Sequence, residues 1–294
     1  MMSLSEFFAS ATGKLQALYP LQEARNMASL LLCERLGLQS WVLHTEGERP
    51  IPPDCLGLLE SDLDRLLHSE PLQYVLGKAL FYGRDFRVSP AVLIPRPETE
   101  ELVQHALDFL SSCNRKDLRA LDLCTGSGCI AWTLALECPG LQVRAVDISE
   151  KALELARCQF PQSAPSVDFV QGDVLDPGFL RSLGTYELLV SNPPYIMEKE
   201  KEQMLPNVLD YEPSLALFVP DSDPLLFYRA IADASVQLLN PGACCLVECN
   251  ALFCNEVAAL FQSKSAFSEV SVLKDISSRP RFVLARTGAD GSVL

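Results

Sequence analysis

Apolar residues recur along this chain with two different periods, and the change of period divides it. Between Leu21 and Leu36, the residues Ala24, Met27, Ala28, Leu31 and Leu32 fall three and four apart, which predicts one buried helix face. Pro52, Pro53 and Asp54 end a loop, and a second helix is expected through about His68. Residues 1–75 therefore read as a small helical domain without catalytic pattern, in which His44 and His68 are structural or exposed. Residues 79–94 turn strand-like around Tyr82-Gly83-Arg84-Asp85, which predicts a hairpin linker over 76–91. Pro95 and Pro97 then force extended backbone. The acidic residues Glu98 and Glu100 suit the start of a helix running to about Ser111.

From about residue 118 strand-like and helix-like pieces alternate. The strands are expected at 119–124, 142–147, 167–172, 187–191, 243–249, 270–273 and 282–285, and the helices near 127–138, 149–160, 223–239 and 252–263. Alternation of this kind predicts an α/β domain over 92–294, with a mostly parallel sheet and helices on both faces. No internal repeat or low-complexity segment interrupts it, and the last eight residues, 287–294, read as a frayed end.

Composition narrows the function classes. Hydrophobic residues make up 48% of the 294, enough for a full core. No apolar run approaches the roughly 18 residues of a membrane-spanning helix. The first fifteen residues lack a signal-peptide pattern, so the expectation is a bacterial-type cytoplasmic protein without a membrane partner. Eleven cysteines with no C-x-x-C pair and only three histidines argue against a zinc site. Cys33, Cys244 and Cys245 read as small buried hydrophobes in a reducing compartment. A net charge of −14 disfavours broad contact with nucleic-acid phosphates, so no direct nucleic-acid partner is expected.

Candidate chemistry begins at Leu121-Asp122-Leu123-Cys124-Thr125-Gly126-Ser127-Gly128. The loop follows a strand and opens a helix, and its glycines let backbone turn tightly beside a ligand. Such a loop alone could serve several nucleotides. Asp147, ending the next strand before Ile148, suits a carboxylate that accepts from both ribose hydroxyls; the alternative is a helix cap, a task Ser149 performs equally well. There is no third glycine for a pyrophosphate and no Walker lysine. The combination points to an adenosine ligand without phosphates, S-adenosylmethionine, with S-adenosylhomocysteine as product. Asp173 and Val174, ending a third strand, suit the adenine amino group and ring.

The fourth strand ends in Asn192-Pro193-Pro194-Tyr195. Ligands of open parallel sheets bind at the C-terminal strand ends, so this turn faces the same cleft as the glycine loop. Its prolines offer no backbone donors. The Asn192 side-chain oxygen and the Pro193 carbonyl can hold the two hydrogens of an NH2 group, and Tyr195 can stack on a planar group. Two acceptors gripping an amide raise electron density on its nitrogen, and placement in line with a methyl donor supplies much of the rate.

These motifs resemble the HemK/PrmC family, the release-factor glutamine methyltransferases. The resemblance runs from Gln73-Tyr74-Val75-Leu76-Gly77 through the segment Val92 to Glu100, the two cofactor strands and the turn at 191–196, to Tyr211-Glu212-Pro213-Ser214-Leu215-Ala216-Leu217. It implies a seven-stranded, Rossmann-like class I methyltransferase domain behind a small helical domain that docks the substrate. The implied substrate is the glutamine of the Gly-Gly-Gln motif of peptide chain release factors, whose modification modulates translation termination. By the same resemblance Asn192 and Pro193 hold that glutamine, Pro194 and Tyr195 border it, and Arg96 and Glu98 help wall its pocket. A monomer is expected. Cys124 stands where the family has glycine, and 221–225 and 248–253 also depart from its pattern. The main rival is a base N-methyltransferase, which would grip an exocyclic amine of a flipped base. Further rivals are a binding protein on a degenerate fold and a nicotinamide enzyme.

Overall fold

The computed structural model describes residues 2–113, 117–160 and 164–289. The chain divides into two compact units, Met1–Lys78 with Leu205–Tyr211, and Ala79–Met204 with Glu212–Leu294.

The first unit is helical: α1 (Leu4–Leu15), α2 (Leu21–Leu36), α3 (Val42–Thr45), α4 (Pro53–Leu67) and α5 (Leu72–Leu76). Ser3 and Glu6 form a reciprocal cap that satisfies free N–H groups at the start of α1. Helix α2 buries the five residues its period singles out and stops at Gly37, whose φ of 63° only glycine adopts cheaply. Leu4, Phe7, Leu31, Leu32, Leu59 and Leu66 meet in the core. The buried carboxylate of Asp62 accepts from Arg35 Nε at 2.6 Å, and Arg35 also donates to the Val75 carbonyl, so α2, α4 and α5 share one guanidinium. His44 and His68 are exposed. Tyr211 donates to the His68 carbonyl at 2.7 Å, which ties the segment 205–211 to this unit.

The second unit opens with a two-stranded ribbon, β1 (Lys78–Phe81) and β2 (Arg84–Arg87), followed by α6 (Pro97–Ser112). Phe81 and Phe86 of the ribbon are fully buried against α6, so the span expected as a linker packs into this unit's core. Strands β3 (Arg119–Leu123), β4 (Gln142–Asp147), β5 (Val167–Gln171) and β6 (Tyr186–Ser191) alternate with α7 (Cys129–Glu137), α8 (Glu150–Arg157) and α9 (Pro177–Arg181). Beyond β6 come β7 (Ile196–Met197), α10 (Pro206–Leu209), α11 (Ser214–Leu217) and β8 (Phe218–Val219). Then follow α12 (Leu226–Leu238), β9 (Leu239–Glu248), α13 (Cys254–Gln262), β10 (Phe267–Lys274) and β11 (Pro280–Thr287).

Among the described residues, the main sheet has seven strands in the order β10-β11-β9-β6-β3-β4-β5. The five from β9 to β5 are parallel, and β11 runs antiparallel to both its neighbours. All six residues of β6 are buried, as a strand covered on both faces requires. Alternate residues feed two cores: Ala120, Leu188 and Val190 pack on the α6–α7 side, Leu121, Leu123 and Leu189 on the α12–α13 side. The strand order reverses between β3 and β6, the place where such sheets open a crevice at their C-terminal ends.

The end of the chain corrects one expectation. Thr287 is not frayed: it closes β11, accepts from Ala243 N at 2.8 Å and donates to the Asn240 carbonyl, because the edge of β9 needs a partner there. Residues 290–294 lie outside the described residues. All eleven cysteines are free; Cys244 and Cys245 are fully buried, whereas Cys33 is half-buried.

Candidate active site

The loop after β3 is built by backbone. Cys124, Gly126 and Gly128 all have left-handed φ, at 63°, 55° and 78°. Such a backbone suits glycine and strains a side-chain-bearing residue, so Cys124 sits in a conformation that explains the family's glycine. A Cβ on Gly128, the N-cap of α7, would stand 3.1 Å from both Ala156 Cβ and Trp132 Cδ1. Gly126 N donates to Asp147 Oδ2 at 2.8 Å, and Ser149 N donates to Asp147 Oδ1 at 2.9 Å. Asp147 thus latches the loop to the end of β4, while Ser149 caps α8 by accepting from Ala152 N. Burial raises the Asp147 carboxyl above its ordinary range, against the pull of those N–H donors. Asp122 lies beneath the loop, completely buried, and accepts the Thr125 hydroxyl at 2.5 Å. Desolvation pushes its carboxyl up to about 7. The Gln159 amide donates to the Ser127 and Arg87 carbonyls, which fastens the loop to β2.

The end of β5 supplies another side. A Cβ on Gly172 would overlap the Phe179 ring, at 2.0 Å. Asp173 Oδ1 accepts from Leu175 N at 2.8 Å, which turns the chain so that Val174 is buried and faces the cleft.

The end of β6 is held by side chains from distant parts of the chain. The Ser191 hydroxyl donates to the Leu123 carbonyl at 2.7 Å and so pins this end to β3. Asn192 Nδ2 donates to Thr99 Oγ1 at 3.2 Å. The Thr99 hydroxyl donates to Glu248 Oε2 at 2.8 Å, and the Tyr195 hydroxyl donates to Glu248 Oε1 at 3.2 Å. Burial raises both Glu248 and Tyr195 above their usual ranges. Opposite, Arg96 pairs with the buried Glu212, which also accepts from Ile94 N at 3.1 Å. That carboxylate joins the segment before α6 to the segment before α11.

These ends enclose a cleft of about 210 Å³. Of the residues singled out in the sequence, Cys124, Thr125, Gly126, Ser127, Asp147, Ile148, Asp173, Val174, Asn192, Pro194 and Arg96 line it. Asp122, Gly128, Pro193, Tyr195 and Glu98 do not: the first two shape the loop from behind, and Tyr195 turns its hydroxyl inward to Glu248. Thr99, within the segment 94–100 expected to wall the pocket, lines it too; Ile130, Leu215 and Phe227 on the wall, and Glu212 and Glu248 that hold it, carried no expected role. Thr99 and Glu212 sit inside quoted motifs and were within reach; Glu248 opens the segment 248–253, which stands out only for departing from the family's pattern.

The cleft wall joins apolar surface to carboxylates and amides. Among the described residues Arg96 is the one Lys or Arg on it, and its charge is met by Glu212. A phosphate would find no free cation there, whereas a nucleoside bearing a cationic sulfonium fits the acceptors of Asp147 and Asp173 beside apolar Val174 and Ile130. Among the described residues, no group of three His, Cys, Asp or Glu could hold a metal ion, and no helix is long and apolar enough to cross a membrane.

Solved structures share the fold. The hMettl16 catalytic domain, solved in complex with a MAT2A 3′UTR hairpin, matches with a TM-score of 0.54 at 15% identity over 72% of this chain and 78% of its own. The T. thermophilus 16S rRNA methyltransferase RsmC, solved with AdoMet and guanosine, matches with a TM-score of 0.50 at 16% identity over 71% of this chain and 49% of its own. With the strand order above, these define the larger unit as a class I methyltransferase fold. The Methyltransferase small domain family matches residues 101–209, and the PrmC N-terminal domain family matches residues 6–77. Release factor glutamine methyltransferases of Bacteroides thetaiotaomicron and Koribacter versatilis are 42% and 37% identical, covering 92% and 97% of this chain and 95% and 99% of theirs. That of Bacillus subtilis is 37% identical over 88% of this chain and 90% of its own. The chain belongs to the release factor glutamine methyltransferase family.

Proposed function

We propose that this protein methylates the side-chain amide nitrogen of the glutamine in the Gly-Gly-Gln motif of peptide chain release factors. The observation that carries the reading is the position of Asn192: its NH2 is taken by Thr99, its carbonyl oxygen is left as an acceptor, and it shares one cleft with the Asp147-latched loop. S-adenosylmethionine, when bound, supplies an electrophilic methyl group and leaves as S-adenosylhomocysteine. Asp147 would accept from its ribose, Asp173 and Val174 would meet its adenine, and Cys124 to Ser127 would approach it through backbone. Asn192 Oδ1 accepts from the glutamine NH2, which raises electron density on the nitrogen and aims it at the methyl. The new N–C bond forms as the S–C bond breaks, and one amide proton leaves to solvent. Arg96 borders the glutamine, Tyr195 supports the turn, and the helical unit docks the release factor. The protein acts as a monomer in a bacterial cytoplasm.

The test is transfer of labelled methyl to a purified bacterial release factor, beside a copy with its Gly-Gly-Gln glutamine changed to alanine. Label on the first and not the second is the expected result. Label on neither, with S-adenosylhomocysteine shown to bind, overturns the substrate assignment and returns the base N-methyltransferase reading.

A further inference from the structure

Glu248 closes β9 with 1% of its surface exposed, and it lies behind the cleft wall. It nevertheless holds both ends of the Asn192–Tyr195 turn. One oxygen takes the Tyr195 hydroxyl, and the other takes the Thr99 hydroxyl, which itself receives Asn192 Nδ2. The direction of these bonds follows from proton counting. A hydroxyl has one proton to donate, and Thr99 spends it on Glu248. Its oxygen can then meet Asn192 only as an acceptor. Asn192 must turn its NH2 toward Thr99 and its carbonyl oxygen away, where no protein donor among the described residues reaches it. A flipped amide would set carbonyl against hydroxyl oxygen. The alternative is to draw the Thr99 proton off Glu248, stranding a buried carboxylate oxygen, which carries the full desolvation penalty of that group.

We propose that Glu248, acting through Thr99, is a positioning residue that fixes which end of the Asn192 amide faces the substrate. The proposal rests on the reading of Asn192 as the acceptor for a substrate NH2. It gives that reading a source: the cleft presents an acceptor, and so selects a group with N–H to donate, because a carboxylate two bonds away sets the polarity of the chain. It also explains why an ordinary hydroxyl residue lines the cleft beside Asn192. Thr99 matters for its single proton and for the side chain that receives it.

Isosteric and conservative changes test it. Thr99→Val removes the hydroxyl at nearly constant volume, Thr99→Ser keeps it, and Glu248→Gln keeps shape while placing a donor in the acceptor's position. Thr99→Val and Glu248→Gln should lower kcat for methyl transfer by about 10- to 100-fold, the scale of a misdirected reacting group. The dissociation constant of S-adenosylhomocysteine should hold within about twofold, and Thr99→Ser should recover kcat to within about threefold of the parent, because the hydrogen-bond donor is restored. A second readout needs no substrate. The side-chain NH2 of Asn192, identified in ¹H–¹⁵N spectra by its loss in Asn192→Ala, should shift and exchange faster with solvent in Thr99→Val and Glu248→Gln than in the parent or Thr99→Ser. Unchanged amide signals in Thr99→Val overturn the positioning role whatever the substrate proves to be. Absence of transfer by the parent protein, with the amide shifts as expected, instead counts against the release-factor assignment alone.

Discussion

Two neighbouring strand ends on one edge of the sheet make the candidate site by opposite means. At the end of β3 the chain folds onto itself: left-handed residues at 124, 126 and 128 turn the loop, and Asp147, from the adjacent strand, accepts the Gly126 N–H. At the end of β6 the turn is rigid in backbone, yet its functional side chain is aimed by Thr99 and Glu248, which are 93 and 56 positions away in sequence (192 − 99 and 248 − 192). The first end is built mainly from backbone, with the Asp147 side chain holding it. The second is a side-chain device that exists only when three separate segments converge. On the proposed function, binding the nucleoside and orienting the acceptor are therefore two physically separable tasks.

The separation can be broken from either side. Asn192→Ala should leave S-adenosylhomocysteine binding within about twofold and reduce kcat by about 10²- to 10³-fold, as loss of one preorganised transition-state group does. Equal losses in binding and turnover would show the two ends to be one device. A second effect is read in stability. Asp122 has its carboxyl raised from 3.8 to about 7, so the folded protein holds a proton there that the unfolded chain releases. Its contribution is therefore full below about pH 4 and lost as pH rises through about 7, a change on the order of 2 to 4 kcal/mol. Asp122→Asn keeps the acceptor for Thr125 and removes the titration. The difference in Tm between parent and variant should move in the variant's favour from about pH 5 to about pH 8; a constant difference would refute the buried proton.

Smaller effects sharpen the loop side. Asp147→Ala should weaken S-adenosylhomocysteine by about 10- to 100-fold in calorimetry, the worth of one or two charge-assisted hydrogen bonds. Turnover at saturating cofactor should fall far less, since Asn192 and its supports are untouched. Cys124→Gly should relieve about 1 kcal/mol of left-handed strain and raise Tm by about 2–4 °C. An unchanged or lower Tm would mean that the partly buried thiol's packing against the α12–α13 core outweighs the strain.

Much of this architecture was legible before any coordinates. The helical period of α2, the strand–helix alternation after residue 118 and the glycines of the loop are local signals, each visible within one window of sequence. The two-residue strands β7 and β8 and the short helices α9, α10 and α11 escaped, because segments that short carry less than one full period. Within the site, Asp147 and Asn192 could be chosen because strand ends point to one edge of a parallel sheet. Tyr195 was expected beside the substrate, and instead its hydroxyl reaches a carboxylate that no motif announces. Glu98 and Pro193 share motifs with cleft residues yet stand off the wall, since a motif fixes neighbourhood in sequence and not the direction of each side chain.

The sequence by itself determined where backbone must turn and which residue types reach the sheet's C-terminal edge, because periodicity, glycine and proline act within a few residues. Tertiary structure alone decided that Asp122 supports rather than lines the cleft, that Arg96 is neutralised by Glu212, and that Glu248 reaches Asn192 through one hydroxyl. Those outcomes depend on burial and on which distant groups can exchange a proton, and neither is fixed until the chain has closed around them.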